Sequence, residues 1–249
     1  VVGHNVSVNL GKADAILAEN EQVRGEEFHP TEHIKVYILE VKDTPKGPRI
    51  QVSRTHPGLV KRLFESEVAE VRDGTVEIKS IAREAGSRTK MAVWSNDPNV
   101  DAVGACVGMN GSRVNAVVNE LNGEKIDIIT WDENPALLIE NALSPAKVIS
   151  VMADPEEKTA KVIVPDYQLS LAIGKEGQNA RLAARLTGFK IDIKSETQAR
   201  EAGDFDYVEE EYEEEDNYDE SAAEEETISA EENFDENDVE TAEKAGDEE

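Results

Sequence analysis

The first 54 residues alternate apolar and polar positions in short stretches that are separated by turns. This alternation predicts four β-strands, at residues 6–10, 15–17, 34–41 and 49–53. A Lys46-Gly47-Pro48 turn joins the last two strands as a hairpin. From Leu59 onward the apolar residues recur at helical spacing instead. The pattern therefore predicts a small β-domain followed by a region that contains helices.

The strongest pattern in the rest of the chain is an internal repeat. Gly108 and Gly111 form a Gly-x-x-Gly that begins an amphipathic helix, and a glycine stop and a Lys-Ile-Asp-Ile strand follow it. Sixty-six positions later the same pattern begins again at Gly174, and its strand lies at residues 190–193. A repeat of this length is much harder to obtain by chance than one glycine pair, so the two segments are expected to share one fold.

The second copy shows the order of its elements most clearly. A helix begins at Asn134-Pro135, two strands flank a turn at 154–157, and Asp166 caps a short helix that ends at the Gly-x-x-Gly. A longer helix and a strand complete the order α-β-β-α-α-β, and the first copy follows the same order. We therefore predict an α+β multidomain protein. Its folded domains are expected at residues 1–56, 57–132 and 133–200.

The negative charge of the chain is concentrated at one end. The chain has 249 residues and a formal net charge of −28. Residues 201–249 hold 25 acidic residues and one base, Lys244, so residues 1–200 carry a net charge of only −4. A segment with so much like charge and so few apolar residues cannot bury enough surface to fold. We therefore predict a disordered acidic tail at 201–249, and a nucleic acid remains a possible partner of the near-neutral remainder.

A Gly-x-x-Gly between two helices is suited to binding a phosphodiester. The glycines let the backbone turn tightly and bring bare amide groups at the start of the second helix close to an anion. Within the order α-β-β-α-α-β, this is the KH mode of binding single-stranded RNA, in which the loop clamps about four nucleotides. The strands of residues 1–56 also fit an OB-type barrel, a common binder of single strands, or another small antiparallel barrel. A tight turn with nothing bound is the alternative for either glycine loop.

The residues in and after the two loops are the candidate RNA-binding residues. They are Gly108, Met109, Asn110, Gly111, Arg113, Gly174, Lys175, Glu176, Gly177, Arg181 and Arg185. Lys175, Arg181 and Arg185 can neutralise phosphates, and a solvated helix face is the alternative for the two arginines. The charge of Glu176 opposes them. In the first loop Arg113 is the nearest cation, so weaker phosphate binding is expected there.

Other kinds of site have little support in the sequence. The glycines before Asp127 lack the spacing of a dinucleotide-binding fingerprint, and His29 and His33 lack the partners of a zinc site. The chain is therefore expected to have no catalytic residues, no metal site and no cofactor, and not to be an enzyme. A single cysteine, Cys106, and the lack of a long apolar run predict a cytoplasmic protein that does not enter a membrane.

Two stretches of the chain resemble a known family. They are SRTHPGLVKRLF at 53–64 and VPDYQLSLAIGKEGQN at 164–179. With them the chain resembles the NusA family of bacterial transcription elongation factors. The resemblance implies a partial S-one-type OB domain and two tandem type II KH domains that bind nascent single-stranded RNA. It also implies a basic residue in the first loop where this chain has Asn110.

The resemblance further implies a role in transcription. The family contacts RNA polymerase and other transcription antitermination factors, and it modulates pausing, termination and antitermination. By this resemblance the chain is expected to be a monomer and a C-terminal fragment that lacks the polymerase-binding domain. The alternative function is a protein-interaction adaptor that uses the KH folds as docking platforms. The acidic tail has two alternative roles, competition with RNA for the basic residues of the second loop or simple solubilisation.

Overall fold

The computed structural model describes residues 5–45 and 47–203. It begins with a four-stranded sheet of β1 (Val6–Asn9), β2 (Asp14–Leu17), β3 (Tyr37–Lys42) and β4 (Arg49–Ser53), in the order β1-β2-β4-β3. Strands β1 and β2 are antiparallel, β2 and β4 are parallel, and β3 and β4 form the predicted antiparallel hairpin. The predicted tail lies outside the described residues from position 204 onward.

One of the four predicted strands begins later than its apolar pattern suggested. Strand β3 was expected from residue 34 but starts at Tyr37. The backbone before it is engaged elsewhere, because the Lys35 amide donates to the Glu120 carboxylate at 3.0 Å and its carbonyl accepts from Arg54 at 2.8 Å. A long-range contact therefore replaces the strand pairing that the alternation predicted.

The first repeat, which we define as α1 to β7, follows the four-stranded sheet. Its elements are α1 (Pro57–Glu67), α2 (Ala69–Arg72), β5 (Val76–Glu84), β6 (Arg88–Ser95), α3 (Ala102–Val107), α4 (Ser112–Glu120) and β7 (Lys125–Thr130). Helix α1 begins at Pro57, two residues before the helical spacing of apolar residues, because the His56 side chain accepts from the Gly58 amide and a proline occupies the first turn. The sheet order is β5-β6-β7, with β5 and β6 antiparallel and β6 and β7 parallel.

The second repeat, α5 to β10, has the same order of elements except that no helix corresponding to α2 is present in its described residues. They are α5 (Pro135–Ala142), β8 (Ser150–Asp154), β9 (Thr159–Val164), α6 (Leu169–Ile173), α7 (Gln178–Thr187) and β10 (Lys190–Ser195), and the sheet order is β10-β9-β8. The predicted α+β class and the α-β-β-α-α-β order of the second repeat are thus confirmed for the described residues, whereas the first repeat contains an additional short helix, α2, that was not predicted. A further helix, α8 (Glu196–Ala202), was not predicted, although Ser195 and Gln198 form a capping box at its start.

The prediction that Asp166 caps a helix was wrong. Its carboxylate instead accepts hydrogen bonds from the backbone amide and the hydroxyl of Thr197 at 3.2 and 2.7 Å. Hydrogen bonds from Ser195 and Thr197 hold the pKa of this carboxyl below its ordinary value. Asp166 therefore ties the start of α8 to the segment before α6, a contact that local spacing does not reveal.

The central strand β6 is buried on both faces of the first-repeat sheet. Met91 and Val93 pack with the helices of the first repeat, whereas Ala92 belongs to a core formed mainly by the second repeat. On the second face the fully buried Lys90 donates to the Ser144 carbonyl at 2.8 Å. Burial lowers the pKa of the Lys90 ammonium, although Asp127 favours its charged form. The core of the second repeat therefore extends onto the second face of the first-repeat sheet, while the first repeat keeps a core of its own on the other face.

Arg54 joins the four-stranded sheet to the first repeat. This side chain is only 2% exposed and donates to the Glu26 carboxylate, to the Lys35 carbonyl at 2.8 Å and to the Glu120 carbonyl at 3.0 Å. Burial alone would lower the pKa of its guanidinium, but hydrogen bonds and the charges of Glu26 and Glu120 raise it overall. The contact is thus a fully paired charge in a nearly dry position, which is costly to leave half-complete.

We expect the substitution Arg54→Met to lower the free energy of unfolding by about 3 to 5 kcal/mol, because it leaves the Glu26 carboxylate buried without its partner. Urea unfolding followed by circular dichroism measures this loss. Arg62→Met is the matched control, since Arg62 is 69% exposed and pairs with Glu65 of the same helix. Its unfolding midpoint should stay close to that of the unchanged protein. Equal midpoints for the two variants would contradict the role of Arg54.

Candidate nucleic-acid interface

The two Gly-x-x-Gly loops have the same backbone conformation. In the first loop the φ and ψ angles are 74° and 173° at Gly108, 52° and 28° at Asn110, and 75° and 15° at Gly111. The second loop has 77° and 172° at Gly174, 54° and 26° at Glu176, and 74° and 16° at Gly177. Each angle agrees with its counterpart within 3°. The two Gly-x-x-Gly loops, which are the least regular part of each repeat, therefore have the same structure.

The first glycine of each loop is also required by a close approach. A Cβ atom at Gly174 would lie 2.8 Å from the backbone nitrogen of Asn179, and one at Gly108 would lie 2.7 Å from Cγ of Arg113. Both positions combine this lack of space with a positive φ, which side chains rarely adopt. The loops thus bring the start of the second helix as close as possible to the end of the first.

Arg113 and Asn179 occupy equivalent positions and hold the two loops closed. Arg113 Nη1 donates to the Ala105 carbonyl at 2.7 Å, and Asn179 Nδ2 donates to the Ala172 carbonyl at 3.0 Å. Both side chains therefore reach back from the second helix to the helix before the loop. Arg113 also pairs with Glu70 of α2 at 3.1 Å. Its guanidinium is engaged within the protein, so the predicted contact of Arg113 with phosphate remains a prediction.

The surface beside the second loop is apolar and exposed. Helix α6 lies against the edge strand β10, and Leu171 and Ile173 are 44% and 38% exposed just before Gly174. Tyr167 is 76% exposed at the start of this segment. The sequence analysis did not single out any of these three residues as part of the candidate surface. The sequence did contain a relevant signal: four of the five residues of α6 are apolar, and the buried face of so short a helix cannot cover all of them.

The first loop has a different surface. Met109 is 83% exposed, and neither it nor Asn110 carries a charge. Beside helix α3, a groove of about 510 Å³ lies between the two repeats and is lined by Val103 and Thr130 from the first and by Asn141 and Lys147 from the second. The groove therefore continues from the segment before the first loop onto the second repeat.

The candidate cations of the second loop are placed differently from one another. Lys175 is exposed within the loop. Arg181 and Arg185 both face Glu84, the last residue of β5 in the first repeat, at 2.6 Å and 3.8 Å respectively. Both arginines therefore face a carboxylate of the first repeat, and their predicted contact with phosphate remains a prediction. Glu84 was missed by sequence analysis, because it lies 97 positions away from Arg181 and no local pattern connects them.

Other candidate chemistry is absent from the described part of the chain. Within residues 5–45 and 47–203, no group of three or more His, Cys, Asp or Glu side chains is arranged to hold a metal ion. In the same residues no helix is long and apolar enough to cross a membrane. Cys106 is buried in the core of the first repeat, and burial raises the pKa of its thiol to about 11. It is therefore a packed thiol.

We expect the substitution Asn179→Ala to open the second loop and to lower the free energy of unfolding by about 1 to 3 kcal/mol. The change leaves the buried Ala172 carbonyl without its side-chain donor and removes one of the two donors to the Leu143 carbonyl, which keeps the Ala146 amide at 3.1 Å. Thermal unfolding together with amide hydrogen exchange at Gly174 to Gly177 measures both effects. Asn115→Ala, at an exposed position on α4, is the control. If exchange in the loop is the same in both variants, Asn179 does not close it.

Comparison with known proteins assigns both repeats to one kind of domain. Residues 54–131 match the NusA-like first KH domain, and residues 135–201 match the NusA-like second KH domain. Over 198 residues the chain is 64% identical to the transcription termination/antitermination protein NusA of Bacillus subtilis (strain 168), covering 80% of this chain and 53% of that protein.

More distant relatives have the same name. Identity is 53% over 185 residues to the protein of Mycobacterium tuberculosis, covering 74% of this chain and 53% of that one. It is 51% over 190 residues to the protein of Thermus thermophilus, covering 76% of this chain and 49% of that one. The chain thus spans about half the length of the curated relatives it matches.

Proposed function

We propose a function from the premise that the chain belongs to the NusA family, to which its tandem KH domains and its relatives assign it. The chain binds nascent single-stranded RNA and thereby modulates pausing, termination and antitermination by RNA polymerase. The observation that carries this proposal is the identical backbone conformation of the two Gly-x-x-Gly loops, each placed at the start of a helix. Two such loops within one compact unit can hold one RNA strand at two points.

The start of α7 supplies the anion site of the second loop. This helix has ten residues, and among the described residues no side chain caps its first turn. Its leading amide groups and its dipole therefore favour a negatively charged ligand. Lys175 lies within the loop and adds a mobile positive charge. The phosphate of a nucleotide fits this combination better than a neutral ligand does.

The apolar residues beside the loop suit the bases of the same strand. Tyr167, just before α6, and Leu171 and Ile173 within it are all exposed ahead of Gly174. Bases that are unstacked from one another can pack on aliphatic and aromatic side chains while the backbone is clamped at the loop. We therefore place the bases over α6 and the phosphates at Gly174 to Gly177, with Arg181 and Arg185 available to neighbouring phosphates.

The first loop is proposed as a weaker contact. Gly108, Met109, Asn110 and Gly111 supply the same backbone shape without a charged side chain. Arg113 is held by Glu70 and by the Ala105 carbonyl. The first loop therefore positions the strand, and most of the electrostatic affinity comes from the second.

The four-stranded sheet is proposed to be part of an S-one-type OB domain. Its order, β1-β2-β4-β3 with β2 and β4 parallel, matches that of strands two to five of an OB barrel. With it we propose the domain boundaries 1–56, 57–132 and 133–200. RNA polymerase and other antitermination factors are proposed as protein partners, on the strength of the family and of the role that the relatives' names state.

The decisive variant is Gly177→Asp, because this position has room for a side chain. A Cβ atom there meets only the Nη1 atom of Arg181, at 3.9 Å. The added carboxylate should lower the affinity for a short, unstructured single-stranded RNA by about tenfold or more, because it repels phosphate at the start of α7. Fluorescence anisotropy at several salt concentrations measures this. We expect a log-log salt slope of about −0.7 for each phosphate neutralised, and a shallower slope in the variant.

Gly188→Asp is the control for this experiment. Gly188 ends the same helix with φ 75° and ψ 16°, nearly the angles of Gly177, and a Cβ atom there would meet nothing within 4 Å. The two variants therefore have equal charge and similar backbone strain at opposite ends of α7. If both bind RNA as the unchanged protein does, the KH loops are not the RNA site. The adaptor function, in which these folds dock proteins, would then be favoured.

A further inference from the structure

Glu84 of the first repeat lies against the start of α7 in the second. Its carboxylate accepts from Arg181 Nε at 2.6 Å and Nη2 at 3.2 Å, and from Gln178 Nε2 at 2.9 Å. Arg185 Nη1 lies 3.8 Å away. A single carboxylate from one KH domain thus faces both arginines that follow the loop of the other.

Arg181 connects this carboxylate to the loop itself. While two of its nitrogens bind Glu84, Nη1 donates to the Glu176 carbonyl at 3.0 Å. In the first repeat the equivalent position is occupied by Asn115, which is uncharged. The connection from the Glu84 carboxylate through the Arg181 guanidinium to the loop is therefore formed at the second loop and has no charged counterpart at the first.

We infer that Glu84 is a competing counter-ion of the second loop, which holds Arg181 in the free protein and yields it to an RNA phosphate on binding. This inference rests on the proposed function of the loop. A phosphate can replace the carboxylate because both accept two parallel hydrogen bonds from a guanidinium. The exchange is open to solvent, since the side chains of Arg181 and Arg185 are 42% and 56% exposed.

The charge of Glu84 is present under physiological conditions. The hydrogen bond from Arg181 holds the pKa of the Glu84 carboxyl below its ordinary value, so it is ionised at neutral pH. An RNA strand that approaches the second loop therefore meets a cation that is already paired, with a fixed negative charge beside it. Glu84 weakens RNA binding and makes the loop more selective for ligands that can replace a bidentate carboxylate.

The exchange does not require the two domains to separate. Gln178 also donates to the Ser87 hydroxyl at 2.8 Å, and the shared core beneath includes Ala82 and Ala92 of the first repeat. These contacts remain when Arg181 turns toward a phosphate. Glu84 therefore acts on binding affinity through a side-chain exchange rather than through a domain movement.

The substitution Glu84→Gln tests the inference, because glutamine keeps the shape of the side chain but removes its charge and replaces one of its two acceptor oxygens with a donor amide group. We expect RNA affinity at low salt to rise about three- to tenfold, and the log-log salt slope to steepen by about 0.7 as one more cation becomes available. Glu77→Gln is the matched control, since Glu77 lies on the same strand and pairs with Lys79 away from α7. It makes the same change in net charge and should leave both quantities nearly unchanged.

A double-mutant cycle separates competition from simple repulsion. If Glu84 occupies Arg181 in the free protein, Arg181→Gln should lower RNA affinity several-fold more in the Glu84→Gln background than in the unchanged protein. Equal losses in the two backgrounds would overturn the inference. The unchanged protein offers a second measurement that depends on no variant. The carboxyl pKa of Glu84, followed by NMR, should rise toward its ordinary value when RNA is added, because Arg181 leaves it.

The outcomes distinguish this inference from the function on which it rests. If the unchanged protein does not bind the RNA, or if Gly177→Asp binds as well as the unchanged protein, the proposed function fails. If the loop binds RNA but Glu84→Gln, Glu77→Gln and the unchanged protein have the same affinity and salt slope, the inference alone fails. A Glu84 pKa that does not change on RNA binding would likewise exclude the exchange.

Discussion

The burial of strand β6 on both faces is the constraint on which the rest of the structure depends. A sheet whose second face was open to water would leave the two KH domains independent, and their loops could take any relative position. Here Ala92 and Lys90 lie against the second repeat while Met91 and Val93 lie against the helices of the first. The domains therefore behave as one body, and a residue such as Glu84 can serve a loop that belongs to the other domain.

Paired charges fix the geometry of this body more than they add to its stability. Arg54, Lys90 and the pair Arg83–Glu124 are almost completely buried, and each has hydrogen-bonded partners. Burial of charges costs about as much as their attraction returns, so similar apolar residues would stabilise the fold equally well. Apolar residues would, however, accept a sliding or rotated interface. The hydrogen bonds of Arg54 to Glu26 and of Lys90 to Ser144 are directional, so they form in only one arrangement of the interface.

Elements that depend on local chemistry could be predicted from the sequence, and contacts between distant residues could not. The Gly-x-x-Gly loops followed from the repeat, because left-handed backbone and close approach leave only glycine at Gly108 and Gly174. The roles of Arg113 and Arg181 did not follow, since a basic residue after a loop looks the same whether it meets a phosphate or a carboxylate. The difference lies in Glu70 and Glu84, which the fold brings there from other elements.

The contacts between distant residues also determine the charge that a ligand meets at the second loop, which differs from the net charge of the whole chain. The formal charge of −28 belongs mostly to residues 201–249, but the charge that an RNA strand meets at the second loop is set within a few ångströms. There Lys175 and two arginines are opposed by Glu176 and Glu84, and three cations thus face two carboxylates. The net charge of these five side chains is therefore about +1. So small a positive charge favours a ligand whose phosphates make bidentate contacts with an arginine, and it attracts a ligand of diffuse negative charge only weakly. Near balance of charge at the loop is therefore a basis for selectivity, because binding then depends on the fit of the backbone and bases as well as on attraction.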